Sequence, residues 1–286
     1  MTPISYRLFL LRAYGDATIA LHFLANSPEK NNYTIIASSH LKPLIKALGS
    51  YIDLNSLKIQ FIDFGINKSQ LNLFTNRHLI SFNTCKQLIK LKQFIRNNPN
   101  TVGIDYLEQN NKSGLLNLLL GYKFKTIVNK QVYSKMGAFF NTELKTPLSI
   151  GSLNKVLIIP DARISARRIP EKLIGYIKSQ LISTNKSLQV AYFNKPNESI
   201  LQTELQAETI SYTSFEQLLA LINEADFVFG SDSLPIHLCH LLKKPHFILY
   251  PYNGSSNFFT PYTLQNKYYL NFKEVDENSF NFLSKL

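Results

Sequence analysis

An α/β fold is predicted by three features of the sequence. Strand-sized apolar runs alternate with amphipathic stretches, the alternation restarts after residue 154, and apolar residues make up 45% of the 286. Strands separated by helices are the pattern of a parallel sheet assembled from βαβ units.

The first set opens with YRLFLL (6–11), a strand, followed by a turn at Gly15 and Asp16 and an apolar helical run over 17–25. YTIIAS (33–38), LKIQFID (57–63) and TVGID (101–105) predict further strands, with helices over 41–48 and 86–96. Around 141–154 the sequence becomes NTELKTPLSIGSLN, whose Pro, Gly and small polar residues mark a boundary. The second set contains KVLIIP (155–160), a helix opened by Pro170, LQVAYF (188–193), DFVFG (226–230), a helix from Pro235 and HFILY (246–250). Ser214, with Glu216 and Gln217 behind it, predicts a capped helix through Asn223. Two Rossmann-like domains with a cleft between them are therefore expected: 1–148, 149–270, and a C-terminal segment, 271–286, ENSFNFLSKL at its end expected as a helix returning to the first domain.

Composition removes several classes. The longest apolar runs fall short of the ~20 residues that span a bilayer, so no membrane-spanning or secretory segment is expected. Cys85 and Cys239 form no CxxC pair, which argues against a disulfide framework or structural zinc and for a reducing, cytoplasmic compartment. The net charge of +12 favours anionic partners, namely nucleic acid, membrane surface or phosphorylated substrate. No basic arm, zinc finger or RRM signature accompanies it, so no dedicated nucleic-acid partner is expected. GxxxxGK[ST], GxGxxG and HExxH are absent, which removes P-loop hydrolysis, ordinary dinucleotide binding and zinc proteolysis.

Ligands of doubly wound sheets bind at the carboxyl ends of the strands. In ADFVFGSDSLPIHLCHLLKKPHFILY (225–250), a strand runs into Ser231, Asp232 and Ser233, and a helix starts near Pro235. Free N–H groups and the positive end of the helix dipole make that start an anion site. His237 would lie on the first turn, donating to a phosphate or satisfying a buried partner.

This segment resembles glycosyltransferase family nine, the ADP-heptose:lipopolysaccharide heptosyltransferases. Their C-terminal domain carries a strand, Asp-(Thr/Ser)-Gly-x-x-His, a helix, and a strand after Lys-Pro. The matching residues are Asp232, Ser233, His237 and Lys244-Pro245, with Leu234 in place of Gly. If that position required positive φ, Leu would be strained there. VLIIPDARISARRIPEKLIGYI resembles the family's strand, turn and basic helix start, with Asp161 for Gly, Arg167 and Arg168 at the basic pair, and Ile169 for Trp. Two guanidiniums there suit a diphosphate, and a solvated basic turn is the alternative.

YFNKPNES resembles the loop whose acid holds the ribose hydroxyls, making Glu198 the candidate; a surface acid near a helix start is the alternative. YRLFLLRAYGDATIALHFLA resembles the family's opening strand, Gly-Asp turn and helix, which implies Asp16 as general base on the acceptor hydroxyl. As a bare Gly-Asp pair, Asp16 reads equally as a helix cap. Gly254, Ser255 and Ser256 offer further phosphate donors or a plain loop.

The resemblance implies a GT-B architecture and an inverting, metal-independent transfer of a sugar, foremost heptose from ADP-heptose, to a lipopolysaccharide or related saccharide. No cofactor is expected, since SDS (231–233) supplies one carboxylate only. The implied partners are a nucleotide-sugar donor and an anionic glycolipid or saccharide acceptor. Lys42, Lys46, Lys86, Lys90, Lys92 and Arg96 are available for acceptor contact or for peripheral contact with the inner face of the membrane, or are solvated helix faces. Two rivals stay open: another nucleotide sugar feeding a capsule or protein-linked glycan, and a non-catalytic nucleotide or polyanion binder.

Overall fold

The structure, a computed structural model, describes residues 6–10, 13–63, 82–97, 102–105, 125–126, 131–143, 150, 153–182, 186–194, 208–251 and 256–285. The chain divides into two compact units, Met1–Glu143 and Leu144–Leu286.

In the first unit, β1 (Tyr6–Leu10), β2 (Tyr33–Ser38), β3 (Lys58–Ile62), β4 (Val102–Asp105) and β5 (Lys125–Thr126) are joined in a parallel sheet of order β3-β2-β1-β4-β5. Its helices are α1 (Tyr14–Asn26), α2 (Lys42–Leu48), α3 (Phe82–Arg96) and α4 (Val132–Phe140). The Gly15-Asp16 turn expected from sequence is instead the opening of α1. Its N-cap is Ala13, so Asp16 sits in the first helical turn, where an acid complements the helix dipole. Helix α1 is held by packing: Ile19, Ala20, Leu21, Phe23 and Leu24 are buried, and the Phe23 and Tyr133 rings lie 6.1 Å apart.

The second unit contains β6 (Lys155–Ile159), α5 (Glu171–Ile182), β7 (Ser187–Phe193), β8 (Glu208–Tyr212), α6 (Phe215–Glu224), β9 (Phe227–Ser231), α7 (Leu234–Leu241), β10 (His246–Tyr250), α8 (Pro261–Asn266) and β11 (Tyr269–Asn271). Its parallel sheet runs β11-β10-β9-β6-β7-β8. Numbered within the unit, that is the 3-2-1-4-5-6 order of a Rossmann fold, with the reversal between β6 and β9. Strands covered on both faces read as unbroken apolar runs, and β9 is buried at all five positions. Ser214 caps α6 as expected: its Oγ accepts from the Gln217 N–H at 3.2 Å, and Gln217 Oε1 accepts from the Thr213 N–H at 2.7 Å.

The C-terminal segment departs from expectation. It ends in a 3-10 turn, Asn281–Lys285, and it belongs to the second unit: Phe280 and Leu283 lie in the core with Phe229, Phe247, Ile177 and Leu181. Phe247 and Phe282 stack at 5.7 Å, and Lys186 Nζ donates to the Leu283 carbonyl at 2.7 Å. These aromatic contacts account for the docking of the tail on its own sheet rather than its return to the first unit. Among the described residues, no helix is long and apolar enough to cross a membrane.

Candidate functional site

The strand order of the second unit reverses between β6 and β9, and sheets of this kind bind their ligands at the carboxyl edge beside that reversal. The register sets Ile159 beside Gly230, so the loop from Pro160 and the turn from Ser231 to Ser233 emerge side by side. Arg167, sixty-five residues before Asp232, closes the gap. Its Nη1 donates to the Asp232 carbonyl at 3.0 Å and lies 3.5 Å from Asp232 Oδ2. Asp232 is 5% exposed, whereas the Arg167 side chain is 40% exposed. A buried carboxylate thus orients a half-exposed guanidinium, a planar fork suited to phosphate oxygens.

The basic pair is not at a helix start as expected. Arg167 ends a 3-10 turn, Ser165–Arg167, four residues ahead of α5, and Arg168 is exposed. Ile169, standing where the resembling family has Trp, is buried in the core and donates its N–H to the Pro160 carbonyl at 3.0 Å, which holds the loop down.

Ser233 is the N-cap of α7, and its Oγ donates to the Ser231 carbonyl at 3.3 Å instead of capping the helix. The Leu234 N–H therefore has no side-chain cap, the condition for an anion to fill that role, while Pro235 carries no N–H and the Ile236 N–H donates to the Ser233 carbonyl at 3.2 Å. Leu234 is the first residue of α7 and is not among the described residues with positive φ, so replacing Gly brings no backbone strain. Gly230 is different. A Cβ there would come within 2.8 Å of Ile236 Cδ1, so the absent side chain is what lets α7 sit against β9. Gly230→Ala is expected to destabilise the protein by about 1–3 kcal/mol through overpacking. Urea unfolding checks this, and an unchanged midpoint would show that Ile236 simply turns away.

His237 is 5% exposed, and burial, together with the nearby His246 and Arg167, pushes its pKa down to about 3. It is a neutral imidazole, able to donate one hydrogen bond but not to act as a cation. His246 is fully buried. Its Nδ1 donates to the Lys244 carbonyl at 2.7 Å, which leaves Nε2 to accept from the Thr260 hydroxyl at 2.7 Å. Thr260 is also the N-cap of α8, so His246 ties the base of β10 to that helix.

In the first unit, Asp16 is partly buried in the first turn of α1, beyond the carboxyl end of β1. Tyr14 Oη donates to the His40 carbonyl at 3.4 Å, the Tyr14 and His40 rings are 5.5 Å apart, and His40 Nδ1 lies 2.9 Å from Ser38 Oγ. This polar group at the ends of β1 and β2 had no local motif to announce it. Lys42, Lys90 and Lys92 are engaged by neighbours: Lys42 Nζ lies 5.1 Å from the Phe61 ring centroid, and Lys90 Nζ donates to the Asp63 carbonyl at 2.7 Å. Lys46, Lys86 and Arg96 are exposed. Glu198, Gly254 and Ser255 lie outside the described residues, while Ser256 is exposed at the start of a 3-10 turn.

Asp161, where the resembling family has Gly, also has a structural task. Its Oδ2 accepts the Phe193 N–H at 2.8 Å, joining the end of β6 to the end of β7.

No protein-family model matches the chain, and no curated protein matches it in sequence. Solved structures do. E. coli heptosyltransferase WaaC with ADP-2-deoxy-2-fluoro heptose superimposes with a TM-score of 0.60 at 10% identity, over 98% of this chain and 99% of that one. E. coli ADP-heptose lps heptosyltransferase II gives 0.58 at 13% identity over 99% and 100%. The glycosyl transferase family 9 structure from Veillonella parvula DSM 2008 gives 0.55 at 13% identity over 95% and 86%. At such identities the shared property is the fold, and together with the strand orders of the two sheets it makes this chain a GT-B protein of two Rossmann-like units.

Proposed function

We propose that the protein is a glycosyltransferase of the heptosyltransferase kind, moving a sugar from a nucleoside diphosphate donor to a saccharide acceptor. The observation that carries this reading is the Arg167 guanidinium oriented by Asp232 beside the uncapped start of α7, at the reversal of strand order. Fixed donors aimed at a departing diphosphate stabilise charge as it develops, commonly the main source of rate enhancement in such reactions. The fold likeness to E. coli WaaC, whose structure holds ADP-2-deoxy-2-fluoro heptose, favours heptose from ADP-heptose as the donor and a lipopolysaccharide or related saccharide as the acceptor.

In this mechanism the Asp16 carboxylate takes the proton of an acceptor hydroxyl. The freed oxygen attacks the anomeric carbon from the face opposite the diphosphate, the carbon–oxygen bond to phosphate breaks, and the configuration inverts. Arg167, Arg168 and the Leu234 N–H at the start of α7 neutralise the leaving nucleoside diphosphate without need of a metal. Glu198 is assigned to the ribose hydroxyls. The exposed Lys46, Lys86 and Arg96 suit an anionic acceptor or the cytoplasmic face of a membrane.

Calorimetric titration with ADP, UDP, GDP and CDP tests the reading. Selective binding of ADP is expected, weakened about tenfold or more in Arg167→Ala/Arg168→Ala, since hydrogen bonds to charged groups contribute about 1.5–3 kcal/mol. Preference for another nucleotide would keep the transferase and discard heptose. Absence of binding to all four would sink the donor-site reading in favour of a non-catalytic protein.

A further inference from the structure

The end of β7 carries a feature that the diphosphate site leaves unused. Phe193, the last residue of that strand, has half of its surface (50%) exposed although its backbone is held on both sides. Its own N–H is taken by Asp161 Oδ2 at 2.8 Å, and the next residue, Asn194, turns the chain at φ 62° and donates its N–H to the Tyr212 carbonyl at 3.0 Å. The Phe193 ring rests 5.6 Å from that of Tyr212, which is 6% exposed, so one part of the phenyl group is backed by buried aromatic surface and the rest meets water. Single exposed apolar side chains are ordinary on protein surfaces. Phe193 is set apart by its placement and anchoring: it stands at the carboxyl edge of the sheet, one strand from the reversal, tied through Asp161 to the loop that carries Arg167.

The direction of a bound nucleotide follows from the topology. With phosphates at the strand-order reversal, the nucleoside half in Rossmann units extends over the end of the second strand, where the ribose is held. In this unit the second strand is β7. We propose that Phe193, backed by Tyr212, is the platform on which the nucleobase of the donor stacks. The inference rests on reading the Arg167–Asp232 edge as a nucleoside diphosphate site and adds the residue that grips the base. A flat aromatic ring recognises the face of the base rather than its hydrogen-bonding edge, and a purine covers more of it than a pyrimidine. The platform therefore contributes affinity for every base and an advantage for purines.

Titration of the full chain with ADP, with CDP and separately with inorganic pyrophosphate, for wild type, Phe193→Ala and Phe193→Tyr, tests the proposal. Phe193→Ala is expected to weaken ADP at least about fivefold, as loss of base stacking does. It should leave pyrophosphate affinity unchanged and narrow the preference for ADP over CDP, and Phe193→Tyr should keep ADP affinity. Wild-type ADP affinity retained in Phe193→Ala would overturn the platform and leave the diphosphate site standing. Equal weakening of ADP and pyrophosphate would also overturn it, by showing that the ring merely supports the loop. A wild-type protein that binds pyrophosphate but no nucleotide would overturn the platform and the nucleotide reading together.

Discussion

Asp16→Asn is expected to lower sugar transfer by about 10²–10⁴-fold, the range in which a positioned general base contributes. The amide is nearly isosteric and keeps an oxygen at the same position in the first turn of α1, but it cannot take up the acceptor proton. The alternative role for this residue is a helix-dipole contact, worth about 0.3–1 kcal/mol of stability and nothing to chemistry. The two roles separate in paired measurements. Initial rates with ADP-heptose and a lipopolysaccharide acceptor should fall, while ADP affinity and the urea midpoint stay near wild type. Transfer at the wild-type rate in Asp16→Asn would remove Asp16 from the mechanism and reduce it to a favourable first-turn acid.

Acid is expected to unfold the second unit well before its carboxylates are neutralised. His237 and His246 are buried, and burial pushes their pKa values down to about 3 and about 4, with His246 and Arg167 adding to the effect at His237. In the unfolded chain both return to an ordinary value near 6.5. Between those limits the unfolded state binds more protons than the folded one, so stability rises with pH and is fully present only above about 6.5. By pH 5 each histidine has withdrawn about 2 kcal/mol, more than half of it between pH 6 and 5.

The structural consequence is specific at His246. Its Nδ1 already donates to the Lys244 carbonyl, so a second proton must enter on Nε2, against the Thr260 hydroxyl that donates to it. The His240 and Tyr262 rings, 6.3 and 5.0 Å away, offer no compensating anion. Urea midpoints at pH 7.5, 6 and 5 should drop steadily in wild type, and His246→Gln should flatten the dependence while lowering stability at pH 7.5. Midpoints constant across that range would show that the two imidazoles carry no proton linkage.

Much of the fold was legible because the central strands are buried on both faces. Each of these strands holds an unbroken apolar run, LFL (8–10), IIA (35–37), VLII (156–159), FVFG (227–230) and FILY (247–250), and that signal depends on no distant residue. The edges were not. ETISY in β8 alternates polar and apolar residues on a half-exposed edge, and β11 has three residues, too few for a period to show. Helix α4 carries a readable stripe, Val132, Tyr133, Met136 and Phe140, although it coincides with none of the helices expected above. The start of α1 had no cap to mark it, since Ala13 offers no side-chain oxygen; packing of its apolar face drew Gly15 and Asp16 into the helix.

The candidate site divides along the same line. Residue types and local order were enough to single out Asp232, Ser233 and His237, because a strand, a short polar turn and a helix start lie within a dozen positions of one another. What the chain order could not express is the meeting of Arg167 with Asp232, the use of Asp161 to hold the end of β7, or the exposure of a pinned Phe193 above Tyr212. Each joins residues 19 to 65 positions apart: the first spans the reversal of strand order between β6 and β9, and the other two join the carboxyl ends of β6, β7 and β8, neighbours in the parallel sheet. Sequence by itself determined the buried strands and the polar turn, since burial and turn chemistry act over a few residues; the tertiary structure decided which side chains share the edge, since strand order is a property of the assembled sheet.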